Sequence, residues 1–245
     1  MESRNFLGNS LMKKNFSFTW LGHGTFLLTS PSGIKILIDP WLSGNPACPN
    51  EWKRIRQADY ILVTHAHSDH IGDLFQASRD TGALVVGIVE LCQWLESRGL
   101  QHVHPMNKGG VFVDEDVQVT MVHAEHSSSV FEDRSVTYLG EPVGYVLKFR
   151  DGPCIYFAGD TDVFGDMALI KKIHAPQIAF LPIGGRFTMG PDGAAVACEL
   201  LGVNQVVPMH FGTFSSLPGN PDRLRELVGP KGIDLLDLRP GETAG

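Results

Sequence analysis

Three histidines and one aspartate crowd into the stretch Thr64-His65-Ala66-His67-Ser68-Asp69-His70. Such a cluster constrains the fold strongly, because groups of this chemistry are useful only on a rigid frame. The preceding Tyr60-Ile61-Leu62-Val63 reads as a buried strand, and residues 71–75 as the start of a helix reaching about position 81. The cluster therefore sits at the C-terminal end of a strand, where α/β folds keep their chemistry. In extended backbone the side chains at i and i+2 point the same way, so His65 and His67 can grip one metal ion from one side. The chain then turns into the helix, with Ser68 as the expected N-cap. That turn swings Asp69 and His70 toward a second ion. Imidazole and carboxylate suit zinc, manganese and iron alike.

The remaining strands repeat the theme of an apolar run ending on a polar, reactive residue. Residues 16–20, 25–29 and 34–38 alternate as strands, with a turn at Pro31-Ser32-Gly33, and finish on Asp39. His23 lies between Gly22 and Gly24, and on its own such a histidine reads as structural. Residues 117–122 form a strand followed by His123-Ala124-Glu125-His126, which offers two histidines three positions apart. A second hairpin, 144–149 returning through 155–158, ends on Gly159-Asp160 and echoes the layout of the first. The strand 178–181 runs into Pro182-Ile183-Gly184-Gly185-Arg186-Phe187-Thr188. Paired glycines there can expose N–H groups to an oxyanion or phosphate, with Arg186 and Thr188 as further donors. The last such strand leads to Pro208-Met209-His210-Phe211-Gly212-Thr213. Helices are expected near 90–98, 167–174, 191–201 and 221–228. His102 and His104 lack a partner pattern and read as structural or surface groups. Residues 41–57, rich in Pro, Gly and Asn, read as a lid or pocket wall.

Composition narrows the function. A net charge of -7 shows no basic patch of the kind a nucleic-acid binder carries. Cys48, Cys92, Cys154 and Cys198 form no Cys-x-x-Cys pair, so they read as reduced core residues of a cytoplasmic protein rather than thiolate ligands. No apolar run reaches the roughly 20 residues that span a bilayer, and no secretory h-region is visible. Residues 1–14 are polar and aperiodic and read as a flexible extension. Residues 15–245 show no linker and read as a single domain, and a homo-oligomer is compatible with all of this.

His65-x-His67-x-Asp69-His70 resembles the signature of the metallo-β-lactamase superfamily. The likeness extends over about residues 20–213, and Gly-His-Gly-Thr together with Pro-Met-His-Phe-Gly-Thr is similar to the L-ascorbate-6-phosphate lactonase-like branch. It implies an α/β fold, a four-layer αββα sandwich of two similar halves. It also implies two divalent ions, zinc or manganese with iron as a third choice. His65, His67 and His126 would hold one ion, Asp69, His70 and His210 the other, and Asp160 would bridge them. The likeness favours His126 over His123, places His23 beside the ions rather than on them, and gives Asp39 a supporting position. Asp69 and His23 are the expected catalytic groups, and Gly184, Gly185, Arg186 and Thr188 the expected substrate contacts. The implied activity is hydrolysis of a small ester, lactone or phosphodiester by metal-activated water. A nuclease of the same fold is opposed by the acidic charge. A metal-binding sensor or redox protein is opposed by the intact ligand set.

Overall fold

Seven strands form each of two sheets, and both sheets are assembled by the same rule. The computed structural model describes residues 15–114 and 116–245; the expected extension, 1–14, lies outside them. In the first sheet β1 (Ser17–Trp20), β2 (Phe26–Thr29) and β3 (Lys35–Ile38) run antiparallel in succession. Next to β3, and parallel to it, come β4 (Tyr60–Leu62), β5 (Leu84–Ile88) and β6 (Val103–Met106).

The second sheet starts with β7 (Val111–Val113) and β8 (Val117–His123). A separate two-stranded ribbon, β9 (Ser129–Glu132) with β10 (Ser135–Tyr138), follows in the chain. The sheet resumes with β11 (Val143–Phe149), antiparallel to both β8 and β12 (Cys154–Phe157). Parallel strands β13 (Ile178–Pro182), β14 (Gln205–Met209) and β15 (Asp234–Leu235) complete it. The final strand, β16 (Thr243–Ala244), crosses back to pair with β1. A hairpin followed by parallel strands thus occurs once in each half.

Helices cover the outer faces. In the first half these are α1 (Ser68–Ile71), α2 (Leu74–Thr81) and α3 (Val89–Ser97). In the second they are α4 (Met167–His174), α5 (Pro191–Leu201) and α6 (Pro221–Val228). Sheets covered on both faces need strands that are apolar throughout, and every residue of β13 is buried. Between the sheets, Phe18 and Phe26 meet Phe180 edge-on at centroid distances of 4.9 and 5.1 Å, and Phe157 stacks on Phe180 at 5.5 Å. These four rings, two from each sheet, stitch the αββα sandwich together. Tyr145 of β11 adds a polar tie, donating its hydroxyl to the Val63 carbonyl at 2.7 Å.

Three local expectations change. The helix expected over 71–81 is two helices, α1 and α2, separated by Gly72 and Asp73. The Asp73 carboxylate is occupied instead by the Leu42 and Ser43 N–H groups at 2.6 and 3.0 Å. Ser68 is not the N-cap: His67 occupies that position with extended φ/ψ and no side-chain cap bond, which leaves its ring free for other work. Residues 41–57 are tied down by bonds from Asn45 Nδ2 to the Gly22 carbonyl and from the Leu42 and Ser43 N–H groups to Asp73, and none of them lines the cavities described below.

A candidate metal centre at one edge of both sheets

Strand direction explains why distant residues meet. β1 and β3 run the same way because each is antiparallel to β2; β8 and β12 run the same way because each is antiparallel to β11. The segments following β1, β3, β4, β8, β12 and β14 therefore supply His23, Asp39, the 64–70 cluster, His126, Asp160 and His210. His23, Asp39 and His210 all adopt positive φ, at 57°, 49° and 54°. Non-glycine residues are strained there, and such strain concentrates at functional sites.

Among the described residues three groups of ligand atoms form, one of them, Asp39 with His65 and His70, lying behind the other two. Of those two, His65, His67 and His126 make one; His23, Asp69, His70 and His210 make the other. His65 Nε2 and His67 Nδ1 lie 3.0 Å apart. Ligand atoms about 2.05 Å from a tetrahedral ion lie about 3.3 Å from each other, so this spacing suits two nitrogens turned toward one ion. Asp160 stands between the groups. Its Oδ2 is 3.9 Å from His65 Nε2, 3.6 Å from His126 Nε2 and 3.0 Å from His210 Nε2, while Oδ1 is 3.4 Å from His70 Nε2. His70 Nε2, His210 Nε2 and Asp160 Oδ1 are buried without a hydrogen-bond partner. Buried polar atoms are rarely left so, and three of them converging at one point are what a cation would satisfy.

Asp39 organises both groups from behind. Its Oδ1 accepts the Thr64 N–H at 2.8 Å, and its Oδ2 accepts the Thr64 hydroxyl at 2.6 Å and His70 Nδ1–H at 2.8 Å. Having donated its proton, the Thr64 oxygen accepts from His65 Nδ1–H at 3.0 Å. In their neutral form both rings are thereby fixed with the lone pair on Nε2, facing Asp160. A hydrogen bond of this kind on the far nitrogen sets tautomer and orientation of a metal-binding histidine.

Burial pushes the imidazoles of His65, His67 and His126 below their ordinary range, so they are neutral donors of a lone pair. Burial would also lower His70, but Asp160 and Asp39 hold it well above its usual value. Burial opposes ionisation of Asp160 too, yet the His210 and His70 charges hold it well below the carboxylate range. Without a cation these carboxylates favour a proton on His70, whose place an ion held at Nε2 would take.

His23 is fully buried, and burial lowers it to about 4. Its Nε2 is 3.1 Å from Asp69 Oδ2 and its Nδ1 2.9 Å from Thr213 Oγ1. A neutral ring satisfies both contacts when Nε2–H donates to Asp69 and Thr213 donates to Nδ1. Its ring also lies 3.8 Å from that of His210, nearer to the ligands than the sequence suggests.

His126 joins His65 and His67, whereas His123 turns outward to Lys108 Nζ at 2.9 Å and Glu125 Oε2 at 3.2 Å. A cavity of about 310 Å³ opens over the cluster, lined by His67, Asp69, His126, Asp160, His210 and Phe187 among others. None of the four expected substrate contacts lines it. The N–H of Gly185 bonds to the Met189 carbonyl at 3.2 Å, the Thr188 hydroxyl donates to the same carbonyl at 3.3 Å, and Arg186 points its guanidinium over the Phe187 ring. Gly184 serves packing instead: a β-carbon there would lie 2.4 Å from the His210 carbonyl oxygen. Phe187, Thr64 and Thr213 stand at the cluster without having been singled out in the sequence. Adjacency to ligand histidines was the one available signal for Thr64, and membership of the last motif for Thr213.

A family profile described as "Beta-lactamase superfamily domain" matches residues 35–211. A UPF0173 metal-dependent hydrolase of Koribacter versatilis is 46% identical over 230 residues, covering 94% of this chain and 98% of that one. A UPF0173 metal-dependent hydrolase of Solibacter usitatus is 48% identical over 224 residues, covering 91% and 97%. Among solved structures, Igni18, a metallo hydrolase from Ignicoccus hospitalis, superposes with a TM-score of 0.81 at 35% identity, covering 94% of this chain and 97% of that one. These likenesses establish the hydrolase and its fold; they do not single out the lactonase-like branch. The chain belongs to the UPF0173 metal-dependent hydrolases of the metallo-β-lactamase superfamily.

Proposed function

We propose that this chain hydrolyses a small ester, lactone or phosphodiester at the cluster around Asp160. His65, His67 and His126 would hold one divalent ion and Asp69, His70 and His210 a second, with Asp160 shared. Zinc or manganese, or iron, bound there supplies a water of lowered pKa and an electrophile for a substrate oxygen. The observation that carries this reading is the reach of the Asp160 carboxylate to ring nitrogens of both groups.

The chain's own residues do the rest. Asp39 fixes the ligand tautomers through Thr64 and His70. Asp69, whose side chain is 30% exposed, is the carboxylate of its group that faces the cavity; it offers an acceptor oxygen that orients the reacting water. His23 Nε2–H holds that carboxylate at one angle, and Thr213 holds His23. Phe187 gives the opening above the cluster an apolar wall.

The net charge of -7 supports a small molecule rather than a nucleic acid as substrate. The test is metal analysis of the purified protein, followed by a panel of lactones, phosphodiesters and thioesters with and without chelator. Chelator-sensitive turnover of one class supports the reading. A metal-loaded protein inert toward every class refutes it.

A further inference from the structure

A second cleft, of about 610 Å³, opens beside the metal cavity and shares His67 and Asp69 with it. Its other walls come from four elements. Ile71 and Phe75 rise from the first-half helices, Trp94 from α3, and Val130 and Phe131 from the β9–β10 ribbon. Phe75 and Trp94 meet edge-on at 6.0 Å and give the lining two aromatic rings in contact. Phe131 stands opposite and is 73% exposed. A large aromatic side chain so open to water gains free energy when a partner covers it.

Among the described residues no free cation lines this cleft. Its lining includes Asp69 and Glu132 and no lysine or arginine. The nearest guanidinium, that of Arg98, lies 5.0 Å from the Trp94 ring centre and bonds to Glu132 Oε2 at 2.5 Å. Arg98 thereby ties the ribbon to α3 and holds the cleft's two sides together. Its charge is matched by Glu132 and does not offer itself to an incoming anion.

We infer that this cleft is the specificity subsite of the hydrolase, taking a neutral aryl or branched alkyl arm of the substrate whose scissile group sits at the Asp160 cluster. The inference rests on the hydrolytic reading above and deepens it. A volume of this size accommodates a ring with a short linker. An arm ending in carboxylate or phosphate would lose water there with no free cation on the lining to pair with, since Arg98 is held by Glu132, so neutral arms are preferred. Among the substrate classes proposed, neutral esters and lactones therefore rank above phosphorylated ones.

Binding to the metal-loaded protein tests this without requiring turnover. Three hydroxamates share one metal-seeking head: acetohydroxamate, 3-phenylpropanohydroxamate, and the same phenyl compound carrying a distal carboxylate. The phenyl arm should tighten binding about tenfold or more over acetohydroxamate, and the distal carboxylate should abolish most of that gain. Phe131→Ala should cut the ratio between the phenyl and armless probes roughly fivefold or more, and Phe131→Leu should restore most of it. Phe131 is exposed, so both variants should fold. Equal affinity for all three probes, tighter binding of the carboxylate arm, or an unchanged ratio in Phe131→Ala would overturn the subsite. If acetohydroxamate itself failed to bind, the metal-site reading would fall, and the subsite with it.

Discussion

Replacing Asp39 by asparagine should disable both halves of the metal centre while barely changing volume. Asp39 is fully buried and accepts from three donors, two of them on Thr64 and one on His70. An amide has one oxygen and one NH2 group, so it can satisfy only part of this set. If its oxygen keeps the Thr64 N–H, its nitrogen faces the Thr64 hydroxyl and His70 Nδ1. His70 must then accept at Nδ1, and its proton moves to Nε2, the atom that faces Asp160. A ring nitrogen that carries a proton cannot ligate. The Thr64 hydroxyl is also released, so His65 loses its fixed orientation. Loss of such a supporting hydrogen bond lowers metal affinity about 10- to 100-fold, or about 1.4–2.7 kcal/mol. The assay is competitive titration with a chromogenic chelator on wild type and Asp39→Asn, with circular dichroism to confirm folding. We expect both binding steps to weaken. A folded Asp39→Asn protein binding both ions within threefold of wild type would refute the reasoning.

Four further outcomes follow. His126→Ala should lose one ion and nearly all turnover, whereas His123→Ala should keep its metal, because His123 faces Lys108 and Glu125; elemental analysis of both variants reads this directly. His23→Ala should retain two ions and slow turnover roughly 10- to 100-fold, as expected for loss of the bond that orients Asp69; loss of an ion would make His23 a ligand. Phe180→Ala should destabilise the fold by about 3–5 kcal/mol, since it removes the ring that Phe18, Phe26 and Phe157 all touch; chemical denaturation showing under about 1 kcal/mol would contradict this. Filter binding should detect no salt-sensitive association with generic RNA or DNA at physiological ionic strength.

The sequence was most legible where periodicity and chemistry coincide. Buried parallel strands read as short apolar runs, and β3, β4, β12 and β14 each led to a residue that the structure brings to the shared edge. His65 and His67 could be paired from period-two geometry alone. Which of His123 and His126 faces inward was not readable from the strand pattern, because the chain leaves the ladder after β8. The resemblance pointed to His126, and the structure places that ring with His65 and His67.

Other features depended on tertiary partners. Gly72 and Asp73 break the helix expected over 71–81 because the Asp73 carboxylate is claimed by Leu42 and Ser43, residues some 30 positions away. Gly184-Gly185 looked like an anion nest, but one glycine is shaped by the His210 backbone and the other bonds to Met189. The ribbon β9–β10 is absent from the strands expected above, and its four-residue strands belong to neither large sheet. Its Phe131 acquires meaning only from Trp94 and Phe75 across the cleft.

The central claim is that two ions share Asp160. Metal stoichiometry measured in parallel on wild type, His126→Ala, His210→Ala and Asp160→Ala tests it most directly. The account predicts two ions per chain in wild type, one in each histidine variant, and loss of the paired site in Asp160→Ala. A single tightly bound ion in wild type, or an Asp160→Ala protein that still binds two, would contradict it.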